Sequence, residues 1–304
     1  MRIQLIIILL STVIGQNLIG EGLYETELIN FLRENYTTSN TLGYTKARDT
    51  LYFNIDRIDG QVKGIYTNYA MNLPEGVDPS TFLYENGINC EHIWPQSLGA
   101  GSEPMKSDMH IIRPCKDNVN SSRGNKPYNE IIDSQTDTWY WLNNQVNNTP
   151  SSNIDEYSEN SESSFEPRED RKGDIARTIY YFYTIYPNVA DENFFNIQKE
   201  ILKLWHENDP IDNSEIIRTW KIAEYQENKP NPFILDATLI ERAYFFEGNL
   251  IGDLNGDTVL NILDIVELIN IILNSNEYNQ IGDLNDDNNC NILDVVILVG
   301  IILS

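Results

Sequence analysis

The sequence predicts an α+β fold, a mainly helical domain around a small sheet, followed by a small all-α module. Three observations carry this. Apolar residues recur at helical spacing in several stretches between Tyr24 and Gln226, shorter strand-like runs bounded by turn residues lie among them, and near the C-terminus a thirty-residue repeat twice joins a polar loop to an apolar helix. With 304 residues and 41% hydrophobic content, the chain can build one large core and one small one, which argues against a wholly disordered or membrane-embedded protein.

The elements follow in chain order. Met1-Arg2-Ile3-Gln4 leads into an apolar run from Leu5 to Ile14, broken only by Ser11 and Thr12, and then into Gly15-Gln16-Asn17. One positive charge, a short apolar core and small residues predict a signal peptide over 1–15, since the run is shorter than the roughly 20 residues that span a bilayer. No Cys follows the run, which argues against a lipid-modified N-terminus. Leu28, Ile29 and Leu32 place a helix over Tyr24 to Tyr36, with Thr26 as a candidate cap. From Tyr44 to Tyr69 the pattern predicts a hairpin, with Leu51-Tyr52-Phe53 and Gly64-Ile65-Tyr66 flanking Asp59-Gly60. Residues 147–170, rich in Ser, Asn and Glu, predict a surface loop or insertion. Helical spacing returns at Asp174 to Tyr186, where Pro187 stops it, at Phe194 to Trp205 and at Glu215 to Gln226, with aromatic stripes that suit a core. A composition break at Glu247-Gly248 divides a first domain, 23–246, from a second, 248–304.

A formal charge of −25 runs against binding a polyanion through clustered Lys and Arg. The distribution softens this: no Lys or Arg occurs from Ala243 to Ser304, whereas Cys90 to Glu130 carries five basic residues against five acidic ones, a locally neutral stretch to which a metal ion would add positive charge. Three cysteines, Cys90, Cys115 and Cys290, are too few for a disulfide scaffold. Cys90 and Cys115 are open to two readings, a bridge or two small buried residues.

The repeat sets Ile251-Gly252-Asp253-Leu254-Asn255 against Ile281-Gly282-Asp283-Leu284-Asn285. Asp253, Asn255, Asp257, Asn261 and Asp264 occupy loop positions 1, 3, 5, 9 and 12, and Asp283, Asn285, Asp287, Asn291 and Asp294 repeat them. With the backbone carbonyls of Val259 and Asn289 at position 7, each loop offers the oxygen ligands that a hard cation requires. Each loop ends in Asp where the EF-hand loop ends in a bidentate Glu, and each continues into a single helix. The segment from about Gly248 to Ser304 thus resembles the type I dockerin, which implies two Ca²⁺ ions and docking onto a cohesin domain of a scaffold or cell-surface protein. Ile262-Leu263 and Ile292-Leu293 stand where many dockerins carry polar cohesin-reading residues, which leaves another surface or scaffold partner open.

The remaining motif is Asn89-Cys90-Glu91-His92-Ile93-Trp94-Pro95-Gln96-Ser97, followed by Met105-Lys106-Ser107-Asp108-Met109-His110 and by Arg113 to Asn125 (RPCKDNVNSSRGN). Phosphodiester hydrolysis needs a deprotonated water, counter-charge for the phosphate and help for the departing oxygen. A neutral His can take the proton, and a carboxylate with an amide oxygen can hold an ion of the Mg²⁺ type. These residues resemble the endonuclease I family and its secreted bacterial relatives among the ββα-metal, or His-Me finger, nucleases. The resemblance implies His92 as general base on the first strand of the motif, and Glu91 and Asn120 as ligands of Mg²⁺, Mn²⁺ or Ca²⁺, with Asn120 on the following helix. It implies DNA or RNA as substrate, secretion or attachment to the cell surface, and low sequence specificity, because phosphate contacts carry no base information. Ala47-Arg48-Asp49, Gly64-Ile65-Tyr66, Gly173-Asp174-Ile175-Ala176-Arg177 and Gln226 to Ile234 extend it over about Leu23 to Phe246. Some members bind phosphate with an Arg in an insertion absent here, leaving Arg113 or Arg123 for that role. Asp108, His110 and Asn125 lie in the motif and are expected only to brace it.

Two other readings compete. Dockerins often accompany glycan-degrading enzymes, which need two positioned carboxylates, and 46 acidic residues make such pairs uninformative. A non-catalytic binding component would show no turnover with any metal. A zinc hydrolase is disfavoured by only three His and no His-Glu-x-x-His, and a serine hydrolase by the lack of Gly-x-Ser-x-Gly.

Overall fold

The computed structural model describes residues 18–246, 250–256, 259–274 and 279–303. The expected signal peptide, the composition break at 247–248 and the expected calcium ligand Asp257 lie outside the described residues. Among the described residues no helix is long and apolar enough to cross a membrane.

The chain opens with α1 (Glu25–Tyr36) and α2 (Tyr44–Thr50), the latter continued by a π-helical turn, Leu51–Ile55. The strands β1 (Arg57–Ile58), β2 (Gln61–Lys63) and β3 (Ala70–Asn72) form a three-stranded antiparallel sheet, and α3 (Pro79–Glu85) follows. Next come β4 (Ile88–His92), β5 (Ile112–Lys116) and α4 (Asp117–Arg123). A four-stranded sheet is ordered β7-β6-β8-β9, from β6 (Thr138–Trp141), β7 (Asn144–Val146), β8 (Ser158–Asn160) and β9 (Phe165–Glu166). The helices α5 (Lys172–Ile185), α6 (Glu192–Asn196), α7 (Lys199–Asn208), α8 (Asn213–Ala223), α9 (Pro232–Leu235) and α10 (Leu239–Tyr244) complete the first domain. The C-terminal module holds α11 (Ile262–Asn274) and α12 (Ile292–Ile302), whose Leu268, Val295 and Leu298 form a core of their own. This is the mixed helix-and-small-sheet architecture that the sequence predicts.

The centre of the first domain is α5. Ile175, Ile179, Tyr180, Tyr181 and Phe182 are all buried, and Phe195 stacks on Tyr183 with 3.8 Å between ring centroids, so the aromatic stripes are core.

Three local expectations need correction. Thr26 does not cap α1; the N-cap is Tyr24, without a side-chain hydrogen bond. The expected strand at Leu51-Tyr52-Phe53 is helical, because Ala47, Leu51 and Ile55 recur every four residues and are buried together. The hairpin does turn at Asp59-Gly60, where φ values of 51° and 81° suit a two-residue turn, but its strands are the short pieces on either side. Finally, the predicted loop over 147–170 is exposed mainly in its first part, with Glu162, Ser163, Glu169 and Asp170 exposed beyond it. From Ser158 onward it supplies β8 and β9, and Ser158, Glu159, Phe165, Glu166 and Arg168 are buried. Its polar composition conceals a buried part with hydrogen-bonded polar side chains: the Ser158 hydroxyl donates to the Tyr66 carbonyl at 2.7 Å, and Thr136 donates to Glu159.

That buried sheet makes stability depend on pH. Burial, opposed by Thr136 and reinforced by Glu166, raises the Glu159 pKa from 4.5 to about 8. The folded state therefore holds this proton more tightly than the unfolded state. The contribution is fully present below about pH 4.5 and is lost as pH rises through about 8. Glu159→Gln keeps the site neutral and is expected to raise Tm by several degrees at pH 8 relative to the wild type, with little change at pH 4.5. Equal shifts at the two pH values, read by calorimetry, would contradict this.

Candidate active site

The motif residues converge on one hairpin and the helix that follows it. In the β4–β5 register Glu91 faces Arg113, His92 faces Ile112, and α4 starts directly after β5. The turn between β2 and β3 packs on the back of β5: the Ile65 amide donates to the Pro114 carbonyl at 2.9 Å, and a Cβ at Gly64 would lie 3.0 Å from the Lys116 amide nitrogen. Any larger residue would push β5 back by a few tenths of an ångström. The close approach brings Tyr66 against Glu91.

Glu91 is 2% exposed. Its Oε1 accepts from the Tyr66 hydroxyl at 2.8 Å and lies 3.3 Å from Arg123 Nη1. Tyr66 and Tyr128 share a 2.6 Å hydroxyl contact, and the Arg123 guanidinium stacks 4.6 Å from the Tyr128 ring centroid. Burial raises the Glu91 pKa to about 7, against the lowering pull of Arg123 and Tyr66. A nearby cation would stabilise the carboxylate further.

Asn120 presents its amide on the neighbouring helix turn. Its Nδ2 donates to Asn89 Oδ1 at 2.7 Å and to the Cys90 carbonyl at 3.1 Å. With the nitrogen committed, Oδ1 is the end left for a ligand. Among the described residues no three His, Cys, Asp or Glu side chains converge as a metal site. One carboxylate and one carboxamide instead suit an ion that keeps most of its waters, as Mg²⁺ does, and do not suit the closed N/S set of zinc.

His92 is held at both ring nitrogens. A carbonyl can only accept, so the 2.9 Å contact to the Lys106 carbonyl puts the ring hydrogen on Nε2. Nδ1 then carries the lone pair and accepts from Gln96 Nε2 at 3.1 Å. Burial, aided by the charges of Lys106, Arg123 and Arg48, lowers the His92 pKa to about 4, so the imidazole is neutral at neutral pH. Tyr44 packs 5.5 Å from the His92 ring, with Arg48 at 4.6 Å and Lys106 Nζ at 5.0 Å from the Tyr44 ring centroid. Gln96 and Tyr66 lie in stretches that carry the resemblance, but the sequence assigned no role to them or to Tyr44, because no spacing rule links these three to His92 or Glu91.

Of the two arginines expected to grip phosphate, Arg123 is turned inward and Arg113 opens on a separate cleft. Arg123 is fully buried, and beyond Glu91 it donates to the carbonyls of His92 at 3.2 Å and Ile93 at 2.8 Å. Its guanidinium is spent on bracing β4. Arg113 lines a cleft of about 400 Å³ that Glu91, His92 and Asn120 do not line. Asp108 is an internal brace: its carboxylate accepts from Gln226, the His110 amide, Tyr181 and Tyr186 at 2.8–2.9 Å. His110 donates to the Lys229 carbonyl at 2.9 Å, and Asn125 is exposed. Cys90 and Cys115 are both free thiols; Cys90 pairs with Pro114 and Cys115 with Asn89, so they project to opposite faces of the hairpin.

The two C-terminal loops are built alike. Asp264 accepts from the amides of Leu254, Asn255 and Asn261 at 2.8–3.3 Å, and Asp294 accepts from those of Leu284, Asn285 and Asn291 at 2.8–3.3 Å. Asn261 and Asn291 cap their helices through Leu263 and Leu293 and donate to the carbonyls of Val259 and Asn289. Asp253, Asp264, Asp283 and Asp294 are all buried in a module without Lys or Arg, which fits loops made for cations. Asn255, Asp287 and the other loop oxygens lie beside them in sequence. Ile262 and Ile292 are 69% and 65% exposed at matching positions of α11 and α12.

Comparison with known proteins agrees with both halves. The endonuclease I family model matches residues 23–238, and the dockerin type I domain model matches residues 251–303. The chain is 28% identical over 163 residues to the extracellular ribonuclease of Bacillus subtilis (strain 168), covering 48% of this chain and 50% of that protein. It is 27% identical over 162 residues to the extracellular ribonuclease of Bacillus amyloliquefaciens, with the same coverage. The chain thus spans about half the length of the curated relatives it matches.

Proposed function

The chain belongs to the endonuclease I family, and from that premise we propose that it is a secreted, divalent-metal-dependent endonuclease that cleaves RNA or DNA with low sequence specificity. The observation that carries the reading is the fixed tautomer of His92 on the same hairpin–helix unit that carries Glu91 and Asn120. In this reading β4, β5 and α4 are the ββα-metal motif. Glu91 and Asn120 hold the ion, which when bound supplies positive charge to the phosphate and to the leaving oxygen. Nδ1 of His92 takes a proton from the attacking water once substrate displaces the Gln96 amide, and the Lys106 carbonyl steadies the imidazolium that results. Arg123 and Tyr66 keep Glu91 in place. RNA is the first substrate to try, because the relatives above are named as extracellular ribonucleases.

The C-terminal module, 248–304, binds two Ca²⁺ in this reading and attaches the enzyme to a cohesin or another scaffold or surface protein. Asp264→Ala together with Asp294→Ala is expected to abolish Ca²⁺ uptake by the module, lowering the calorimetric stoichiometry of the full chain by two. An unchanged stoichiometry would overturn the assignment.

Cleavage is tested by incubating the full mature chain with total RNA, plasmid DNA or a polysaccharide, each with Mg²⁺, Mn²⁺, Ca²⁺ or EDTA. The proposal expects nucleic acid to be degraded with at least one ion and polysaccharide to remain intact. Polysaccharide turnover would favour a glycan-directed enzyme, and no turnover of any polymer by folded protein would favour a binding component.

A further inference from the structure

The cleft that Arg113 lines is walled by the β1–β2 hairpin, the N-terminal part of β5, the start of α5 and α8. Its charges are unevenly satisfied. Asp56 is committed to Arg218, with contacts of 2.7 and 3.2 Å, and Glu215 to Arg177, at 2.7 and 2.8 Å. Asp174 lies 3.3 Å from Arg171 and only 3.9 Å from Arg113. Arg113 itself is 7% exposed, its side chain makes no hydrogen bond among the described residues, and its Nε is sealed from solvent without an acceptor. Burial, reinforced by Arg218, pushes its pKa down to about 10. A guanidinium this buried is normally paired with a hydrogen-bonded anion, and its fork matches two oxygens of a tetrahedral oxyanion. Lys63 and Lys221 stand exposed at the rim and form no ion pair among the described residues. In a chain of net charge −25, a cleft with five cationic and four acidic lining side chains, three of the acids already engaged, is an unusual local surplus.

We propose that this cleft is a phosphate-binding site separate from the Glu91, His92 and Asn120 centre, with Arg113 gripping the phosphate oxygens and Lys63 and Lys221 drawing the anion in. A volume of about 400 Å³ admits a phosphate with part of its ester. The phosphate comes either from a nucleic-acid backbone or from a small phosphate or nucleotide. The site does not depend on the cleavage reading, because binding is measured without turnover.

The test is a calorimetric titration of the full chain with inorganic phosphate at low ionic strength, in micromolar Ca²⁺ and no other divalent ion. The wild type is expected to bind phosphate, Arg113→Gln to bind at least tenfold more weakly, and Lys221→Gln severalfold more weakly. Lys221 is exposed, so its variant keeps the test decisive if Arg113→Gln fails to fold. A single-stranded oligonucleotide without terminal phosphates then separates the sources. Displacement of phosphate by the oligonucleotide, lost in Lys221→Gln, supports a backbone contact, and phosphate retained beside bound oligonucleotide supports a small ligand. No binding by the wild type at tens of millimolar, or equal affinity in the wild type and every folded variant, would overturn the proposal.

Discussion

His92→Ala is expected to lower kcat for nucleic-acid cleavage by about 10²–10⁴-fold, the usual worth of a positioned general base, while Tm stays within a few degrees of the wild type. The imidazole sits at the end of β4, outside the apolar core, and its removal cuts two hydrogen bonds, to the Lys106 carbonyl and from Gln96, and one ring contact, with Tyr44. The loss should appear at saturating metal and substrate, because the side chain takes a proton and holds neither ion nor phosphate. His92→Gln should not restore the rate, since an amide nitrogen cannot accept the proton. Cleavage by His92→Ala at more than a tenth of the wild-type rate would remove this residue from the chemistry.

Arg123→Ala is expected to be the most destabilising single change at the site. It leaves the Glu91 carboxylate buried without its cation and orphans the carbonyls of His92 and Ile93, a loss of about 3–5 kcal/mol. In a domain of this size that corresponds to a fall in Tm on the order of 10 °C. Adding Glu91→Gln to the same variant should recover part of the loss, because the uncompensated charge carries much of the cost. Were Arg123 instead a phosphate contact, its removal would raise KM and leave Tm unchanged. Thermal denaturation of the single and double variants separates the two roles.

The sequence exposed what is local and periodic. The helices over 174–186 and 215–226, the turn at Asp59-Gly60 and the doubled loops are legible because each depends on spacing within a dozen residues. The order Glu91, His92, Asn120 was legible through family resemblance. What escaped depends on contacts across long separations. The brace on Glu91 comes from Tyr66, 25 residues upstream, and from Arg123 on α4. Arg123, three positions beyond Asn120, reads as a candidate phosphate contact until the packing of α4 against β4 buries it. Residues 158–168 escaped for a related reason: Ser158, Glu159 and Glu166 are polar yet buried in the sheet, and composition alone equates polar with exposed.

The most direct test of the metal centre is the Mg²⁺ dependence of RNA cleavage in the wild type and in Asn120→Ala, with Ca²⁺ held constant. The account predicts that the variant needs at least tenfold more Mg²⁺ for half-maximal rate and that its maximal rate falls. Superposable Mg²⁺ curves, or undiminished cleavage in EDTA, would contradict it.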